Sequence, residues 1–165
     1  MTVVSVEKDT TALTLAYVAE FDADVERVWQ VWADPRQLER WWGPPTYPAT
    51  FHVYDFVVGA QARYYMTGPE GQKAHGWWEI TLIDAPHRFE FDDGFGDENG
   101  EPDLSIGPGH AVVTLEPLNG GTRMTTTSYF TSQEQLQQML EMGMEEGMLQ
   151  AMGQIDALLL EPATR

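Results

Sequence analysis

The chain has 165 residues with 26 acidic and 9 basic side chains, which give a formal net charge of −17, and it contains no cysteine. This length fits a single domain over residues 1–165 that can bury its own core, while the lack of cysteine excludes disulfides and thiolate metal sites. The negative charge disfavours nucleic acid as a partner, because nucleic-acid binding depends on Lys and Arg contacts with phosphates. No segment has the length and apolarity of a membrane-spanning helix, so we expect no membrane insertion and a cytoplasmic location.

The N-terminal part predicts one strand followed by two short helices. Residues 13–18 alternate between the two faces of a half-buried strand. Apolar side chains then recur at helical spacing from Val25 to Trp32, after an aspartate that can cap the helix. Asp34-Pro35 predicts the start of a second short helix, which the Gly-Pro-Pro run at 43–45 ends.

Between residues 50 and 131 the pattern changes to strict alternation. The predicted strands are 50–56, 61–67, 75–83, 88–92, 110–117 and 122–131. One face of these strands is apolar, with Leu82 assigned to it, and the other face is polar, so we expect an antiparallel sheet of about seven strands with one covered face. The glycine-rich, acidic segment 92–109 is predicted to be a long mobile loop.

A long C-terminal helix is predicted from about residue 132 to 160, because Leu, Met and Ile recur there every three or four residues. It is long enough to cover the apolar face of the sheet, and the fold class is therefore α+β. Three glycines within it, Gly143, Gly147 and Gly153, mark either a bend or close packing against the sheet.

Several motifs in this order resemble the helix-grip, START-like (SRPBCC, Bet v-like) superfamily, and within it the group named after the activator of heat-shock protein 90 ATPase homologue. The matching runs are Phe21-Asp22-Ala23, Asp34-Pro35, Trp41-Trp42-Gly43-Pro44, Asp55 with Gly59-Ala60, Gly76-Trp77-Trp78-Glu79, Pro86-His87-Arg88-Phe89, Gly120-Gly121-Thr122-Arg123-Met124 and Gly143-Met144-Glu145-Glu146-Gly147. The resemblance covers about residues 13–160 and implies a curved sheet wrapped on the C-terminal helix, with an apolar cavity between them.

The sequence departs from the pattern of this group at two positions that help to shape or gate its cavity. Met144 stands where the group usually has Trp, and Val57 stands where Arg is common. The resemblance therefore implies a differently shaped pocket. We do not expect chaperone activation from this resemblance, because in the founding protein of the group it depends on an additional N-terminal domain for which this chain has no room.

The cavity that the resemblance implies is expected to hold a small apolar molecule of a lipid-like, aromatic or polyketide-like kind. Methionine suits such walls because its thioether adapts to different shapes. The candidate ligand-binding residues are Trp41, Trp42, Tyr64, Met66, Trp78, Phe89, Phe91, Met124, Thr126, Met144 and Met148. Trp41 and Trp42 either gate the mouth of the cavity or form a hydrophobic plug that joins the short helices to the sheet. The candidate residues as a set either line a cavity or fill a dry core.

Chemistry beyond binding has weak support in the sequence. The four histidines lie on different predicted strands without metal-ligand spacing, so we expect neither a metal nor a cofactor. Weak candidates for acid–base catalysis are His52, Tyr54 and Tyr64. Non-catalytic binding is favoured over two alternatives: a cyclase, dehydratase or hydrolase that uses the same cavity, and a chaperone-linked or stress-response interaction module. Homodimerisation is left open.

Overall fold

Antiparallel strands make up the larger part of the regular secondary structure. The computed structural model describes residues 3–105 and 108–161, and the parts of the predicted domain and acidic loop at 1–2, 106–107 and 162–165 lie outside the described residues. The strands are β1 Val3–Asp9, β2 Thr14–Phe21, β3 Ala49–Tyr54, β4 Gln61–Thr67, β5 Lys73–Asp84, β6 Arg88–Gly96, β7 Pro102–Asp103, β8 Gly109–Leu118 and β9 Gly121–Tyr129. The helices are α1 Val25–Ala33, α2 Pro35–Leu38, α3 Gln133–Glu141, α4 Met144–Met152 and α5 Ile155–Leu159.

All of these strands form one open antiparallel sheet in the order β1-β2-β9-β8-β6-β5-β4-β3, with the short β7 paired to β6. The α+β helix-grip prediction is therefore confirmed. The sheet is larger than the predicted seven strands, because β1 and β7 add to it. β7 arises because β6 continues through residues 92–96, which were predicted to be loop, and pairs with 102–103 after a turn.

Alternation places the apolar side chains on the concave face, as predicted for most strands. β2 alternates strictly between partly and fully buried residues over its whole length. Leu82 is the exception: the register of β5 against β6 shifts between Ile80 and Leu82, so Leu82 turns outward and is 37% exposed, and Ile83 packs against the core in its place. A bulge of this kind cannot be derived from a two-residue period.

The helices α1 and α2 cover one end of the concave face. Asp24 and Asp34 cap them by accepting hydrogen bonds from backbone N–H groups, and Pro35 occupies the first turn of α2. Trp32 of α1 is fully buried, with ring centroids 4.6 Å from Trp41 and 5.1 Å from Phe89. The aromatic side chains therefore fill this end of the interior.

The C-terminal segment is helical, as predicted, but it is divided into three helices rather than forming one continuous helix. It consists of α3, α4 and α5, separated at Met142-Gly143 and Gly153-Gln154. The first break occurs because Gly143 has φ = +86°, a left-handed conformation that a right-handed helix cannot contain. Two of the three glycines thus mark the ends of helices, while Gly147 lies inside α4.

Polar side chains fix α5 over α1 and α2. The Arg27 guanidinium donates to Leu158 O at 2.9 Å and to Gln37 Oε1 at 2.7 Å. Gln154 Nε2 donates to Gly43 O at 2.7 Å. These bonds satisfy carbonyl groups at a helix end and in a loop, so they anchor the far end of the C-terminal segment.

Gly143 and Gly147 offer a matched test of this break, because an added Cβ meets no atom within 4 Å at either position. We expect Gly143→Ala to lower the free energy of unfolding by about 1–2 kcal/mol, since alanine is strained at positive φ. Gly147→Ala should raise it by about 0.5–1 kcal/mol, since alanine favours a helix interior. Urea unfolding followed by circular dichroism measures both values, and equal effects of the two substitutions would contradict the left-handed break.

Candidate functional site

A cavity lies beneath α3 and α4, at the end of the sheet opposite to α1. Its inner chamber has a volume of about 110 Å³ and is bounded by the ends of β4, β6, β8 and β9 and by the two helices. The residues at its polar side are Tyr64, Asp93, Gly109, Ser128, Tyr129 and Gln135. Phe95, Phe130, Met139 and Met144 complete the wall.

An outer groove of about 260 Å³ adjoins this chamber. Phe95, Met139 and Met144 line both spaces, so the two are neighbours. The rest of the groove is apolar and rich in methionine, with Trp42, Pro44, Met66, Met142 and Met148 in its wall. Together the spaces reach the low end of the roughly 300–1,000 Å³ that is typical of small-molecule sites.

Asp93 places a carboxyl group in the inner chamber. β6 pairs regularly with β8, so Phe89, Phe91, Asp93 and Phe95 all point to the concave face. The cross-strand neighbour of Asp93 is Gly109, and a Cβ there would lie 3.1 Å from Asp93 Oδ1. A glycine opposite the carboxyl therefore leaves it room inside the sheet.

The surroundings of Asp93 disfavour its charged form. Burial raises the pKa of Asp93 to about 6, the negative charge of Asp92 adds to the rise, and His110 partly opposes it. Among the described residues, no other side chain donates a hydrogen bond to this carboxyl, and the charged form is stabilised only by His110 and by the backbone N–H of Asp93 itself. A buried carboxylate without a donor is costly. Asp93 is therefore the carboxyl group of the cavity, and its charged form is disfavoured by its surroundings.

Tyr64 brings a second polar group to the same chamber. Its ring lies over Gly76 of the neighbouring strand, where a Cβ would come within 2.3 Å of the ring. The hydroxyl is thereby carried across β5 towards Asp93. Burial raises the pKa of Tyr64, and the nearby Trp42 indole N–H, which forms no hydrogen bond of good geometry, offsets part of that rise. Tyr64 consequently stays protonated and can donate or accept a hydrogen bond.

The structure brings five of the eleven predicted ligand-binding residues to the cavity. Trp42, Tyr64, Met66, Met144 and Met148 line the chamber or the groove. Met144 lines both, so the position where Trp is usual in the group does shape this cavity.

The other six predicted residues lie in the packed aromatic part of the interior. These are Trp41, Trp78, Phe89, Phe91, Met124 and Thr126, all at most 3% exposed. Trp41 acts as the plug, since its indole N–H donates to Val31 O at 2.9 Å, whereas Trp42 borders the groove. Val57 is 51% exposed in the turn after β3 and lines neither space. The expectation that this position helps to shape or gate the cavity is therefore wrong.

Two of the weak catalytic candidates lie away from the cavity. His52 is exposed on the outer face, where its ring lies 5.9 Å from that of Tyr65. The Tyr54 hydroxyl donates to Trp32 O at 2.5 Å and fastens β3 to α1. Tyr64 is the candidate that does reach the chamber.

Asp93 was missed because the sequence reading ended β6 at Asp92. The Phe-x-Phe-x-Asp-x-Phe alternation from Phe89 to Phe95 carries the signal that the strand continues. Gly94 and the following glycines masked it, since glycine is typical of loops. Met139 was missed because the helical spacing of Leu136, Leu140 and Met144 leaves it outside the predicted apolar stripe.

The described residues contain no group of three or more His, Asp or Glu side chains that could hold a metal ion. Within the same residues, every helix is too short or too polar to cross a bilayer.

A family model described as activator of Hsp90 ATPase homolog 1-like protein matches residues 22–160. The chain belongs to this family. A solution structure of a protein from Arthrobacter aurescens is 64% identical, with a TM-score of 0.93 over 99% of this chain and 95% of that one. A crystal structure of a Mycobacterium smegmatis protein is 48% identical, with a TM-score of 0.89 over 99% of both chains. No curated protein matches the sequence.

A Staphylococcus epidermidis protein of known structure is 26% identical, with a TM-score of 0.82 over 98% of both chains. The START-like resemblance is thus confirmed. In general terms, the family and the fold support a ligand-binding type of domain.

The burial of Asp93 predicts a stability that depends on pH. With a folded-state pKa of about 6, above the ordinary 3.8, the charged carboxylate destabilises the fold at pH values above 6. This cost disappears as the pH falls from about 6 to about 4. We expect Asp93→Asn to raise the free energy of unfolding by about 2–3 kcal/mol near pH 8, and by almost nothing near pH 4.

Urea unfolding across this pH range measures the effect. Glu98→Gln is the control, because it removes one exposed carboxylate outside the cavity, and its effect should stay within about 0.5 kcal/mol. A gain for Asp93→Asn that does not change with pH would show that the carboxyl is solvated.

Proposed function

We propose that the protein binds a small, largely apolar molecule in the cavity between the sheet and the C-terminal helices. Lipid-like, aromatic and polyketide-like compounds are the candidate classes. The observation that carries this proposal is the pairing of an enclosed chamber with a methionine-lined groove at the same end of the sheet. Non-catalytic binding is the simplest use of such a space.

The walls support binding of more than one shape of ligand. Methionine side chains change conformation at little cost and contact aromatic and alkyl groups alike. Met66, Met144 and Met148 line the groove together with the Trp42 side chain. A ligand that replaces solvent there gains the hydrophobic effect of its buried surface, at about 25 cal/mol per Å².

Octanol is a neutral probe of this proposal. In the Met144→Trp variant, the larger indole occupies the space shared by the chamber and the groove, so we expect octanol to bind about tenfold more weakly or not at all. Gln150→Trp is the control, since Gln150 is an exposed residue on the same helix. Isothermal titration calorimetry measures both affinities. Octanol that binds wild type and Met144→Trp equally would place its site elsewhere, and no binding to wild type would contradict the proposal.

An acid–base enzyme that uses the same cavity is a second candidate function. The observation that favours it is the presence of both Asp93 and Tyr64 in the inner chamber. A carboxylate with a pKa near 6 is a suitable general base at neutral pH. The protonated Tyr64 hydroxyl is a suitable hydrogen-bond donor to a carbonyl oxygen.

Acetophenone in heavy water tests this second candidate. Asp93 would remove a proton from the methyl carbon, Tyr64 would stabilise the enolate oxygen, and a deuteron exchanged from solvent would return to carbon. We expect nuclear magnetic resonance to show exchange faster than in buffer, lost in Asp93→Asn and slowed in Tyr64→Phe. Exchange at the buffer rate, or exchange that survives Asp93→Asn, would contradict a catalytic role for this carboxyl.

Interaction with a chaperone or stress-response partner is the third alternative. It calls for a contiguous exposed apolar surface. The large apolar side chains that are exposed among the described residues are spread over separate strands, turns and helix ends: Val53, Val57, Val58, Leu82, Leu104, Tyr129, Met142 and Leu160. This distribution supports the cavity over the surface as the binding site.

A further inference from the structure

This inference rests on the proposed function. The polar groups of the inner chamber restrict which class of small molecule binds in the cavity. Most of the cavity wall is apolar, but its enclosed end holds one carboxyl group. An ionised carboxylate only accepts hydrogen bonds. The end of a ligand that reaches Asp93 must therefore supply a donor if neither group is to stay unpaired.

We propose that the cavity selects amphiphilic amines, with the protonated amino group against Asp93 and an alkyl or aryl body in the methionine-lined groove. The half-buried carboxyl faces the chamber beside Gly109 and accepts no hydrogen bond from another described side chain. An ammonium group provides three donors and the opposite charge, so it compensates the buried carboxylate in a way that a neutral hydroxyl does only in part.

Ligands with a carboxylate head are selected against by the same geometry. A fatty acid that enters head first would place a second negative charge beside Asp93, in surroundings that already disfavour one. The net charge of −17 acts in the same direction over a longer range, because it attracts cations and repels anions. The two effects together predict the order amine, alcohol, acid for bodies of equal length.

The other titratable groups near Asp93 leave this order unchanged. Asp92 and His110 of the adjoining strands form a pair on the outer face, with His110 Nδ1 2.7 Å from Asp92 Oδ1. Tyr64 and Tyr129 line the chamber itself, and burial raises the pKa of Tyr64 so that its phenol stays neutral. No described lysine or arginine is among the residues of the chamber or the groove. A cation that pairs with Asp93 inside the cavity would therefore be supplied by a bound molecule.

Octylamine, octanol and octanoate form a matched series for the test. Calorimetric titration of wild type at about pH 8, where Asp93 is ionised and the amine is protonated, should give an affinity for octylamine about tenfold or more above that for octanol. Octanoate should bind more weakly than octanol. Asp93→Asn keeps the shape of the side chain and removes its charge, so it should bring octylamine down to the affinity of octanol.

Glu79→Gln controls for adsorption of amines on the acidic surface, since it removes one exposed carboxylate from the outer face of the neighbouring strand. It should leave the order and the ratios as in wild type, and thermal unfolding checks that both variants are folded. If octanol binds but octylamine gains nothing, or if Asp93→Asn keeps the preference for the amine, the selection of amines is refuted while the proposed function stands. If no member of the series binds wild type, the proposed function fails and this inference fails with it.

Discussion

The packing around Trp32 decides where the interior is filled and where it is open. Its indole contacts the rings of Trp41, Trp78 and Phe89 and donates to the Met124 sulfur at 3.2 Å. These side chains are all fully buried, and aromatic rings in edge-to-face contact leave no space for a ligand. The interior under α1 is therefore a dry core, and the chamber and the groove lie at the opposite end, under α3 and α4.

At that opposite end, glycine and methionine residues lie among the aromatic ones. Gly76 and Gly109 withdraw their side chains where the Tyr64 ring and the Asp93 carboxyl need room. The carboxyl has no partner among the described side chains, which costs stability. A perturbed acid in a cavity is typical of a functional site, because natural sequences retain such a cost where a ligand or a reaction uses the group.

The breaks in the C-terminal segment separate the helices that lie over the cavity from the helix that lies over the packed core. α5 is held by directed hydrogen bonds from Arg27 and Gln154 to backbone carbonyl groups. α4 instead meets the cavity through Met144 and Met148, whose thioether contacts carry no fixed direction. The left-handed Gly143 lets α3 and α4 change direction over the cavity. One part of this segment is thus held by directed hydrogen bonds, and the other meets the interior through methionine side chains.

The sequence by itself determined the α+β class and the order of most elements, since alternation, helical spacing and turn residues are local and follow from the identity of neighbouring residues. The helix-grip architecture followed from the resemblance of its motifs to a known family. The sequence also identified Tyr64 and Met144 as cavity residues. Tertiary structure decided the rest: β6 continued past Asp92 because β8 and β7 offered it partners, and this pairing turned Asp93 inward. It also decided that Phe89 and Phe91 are core while Phe95, on the same face of the same strand, lines the cavity. A period of two shows which side chains share a face, but only the elements packed against that face determine whether the space above them is filled.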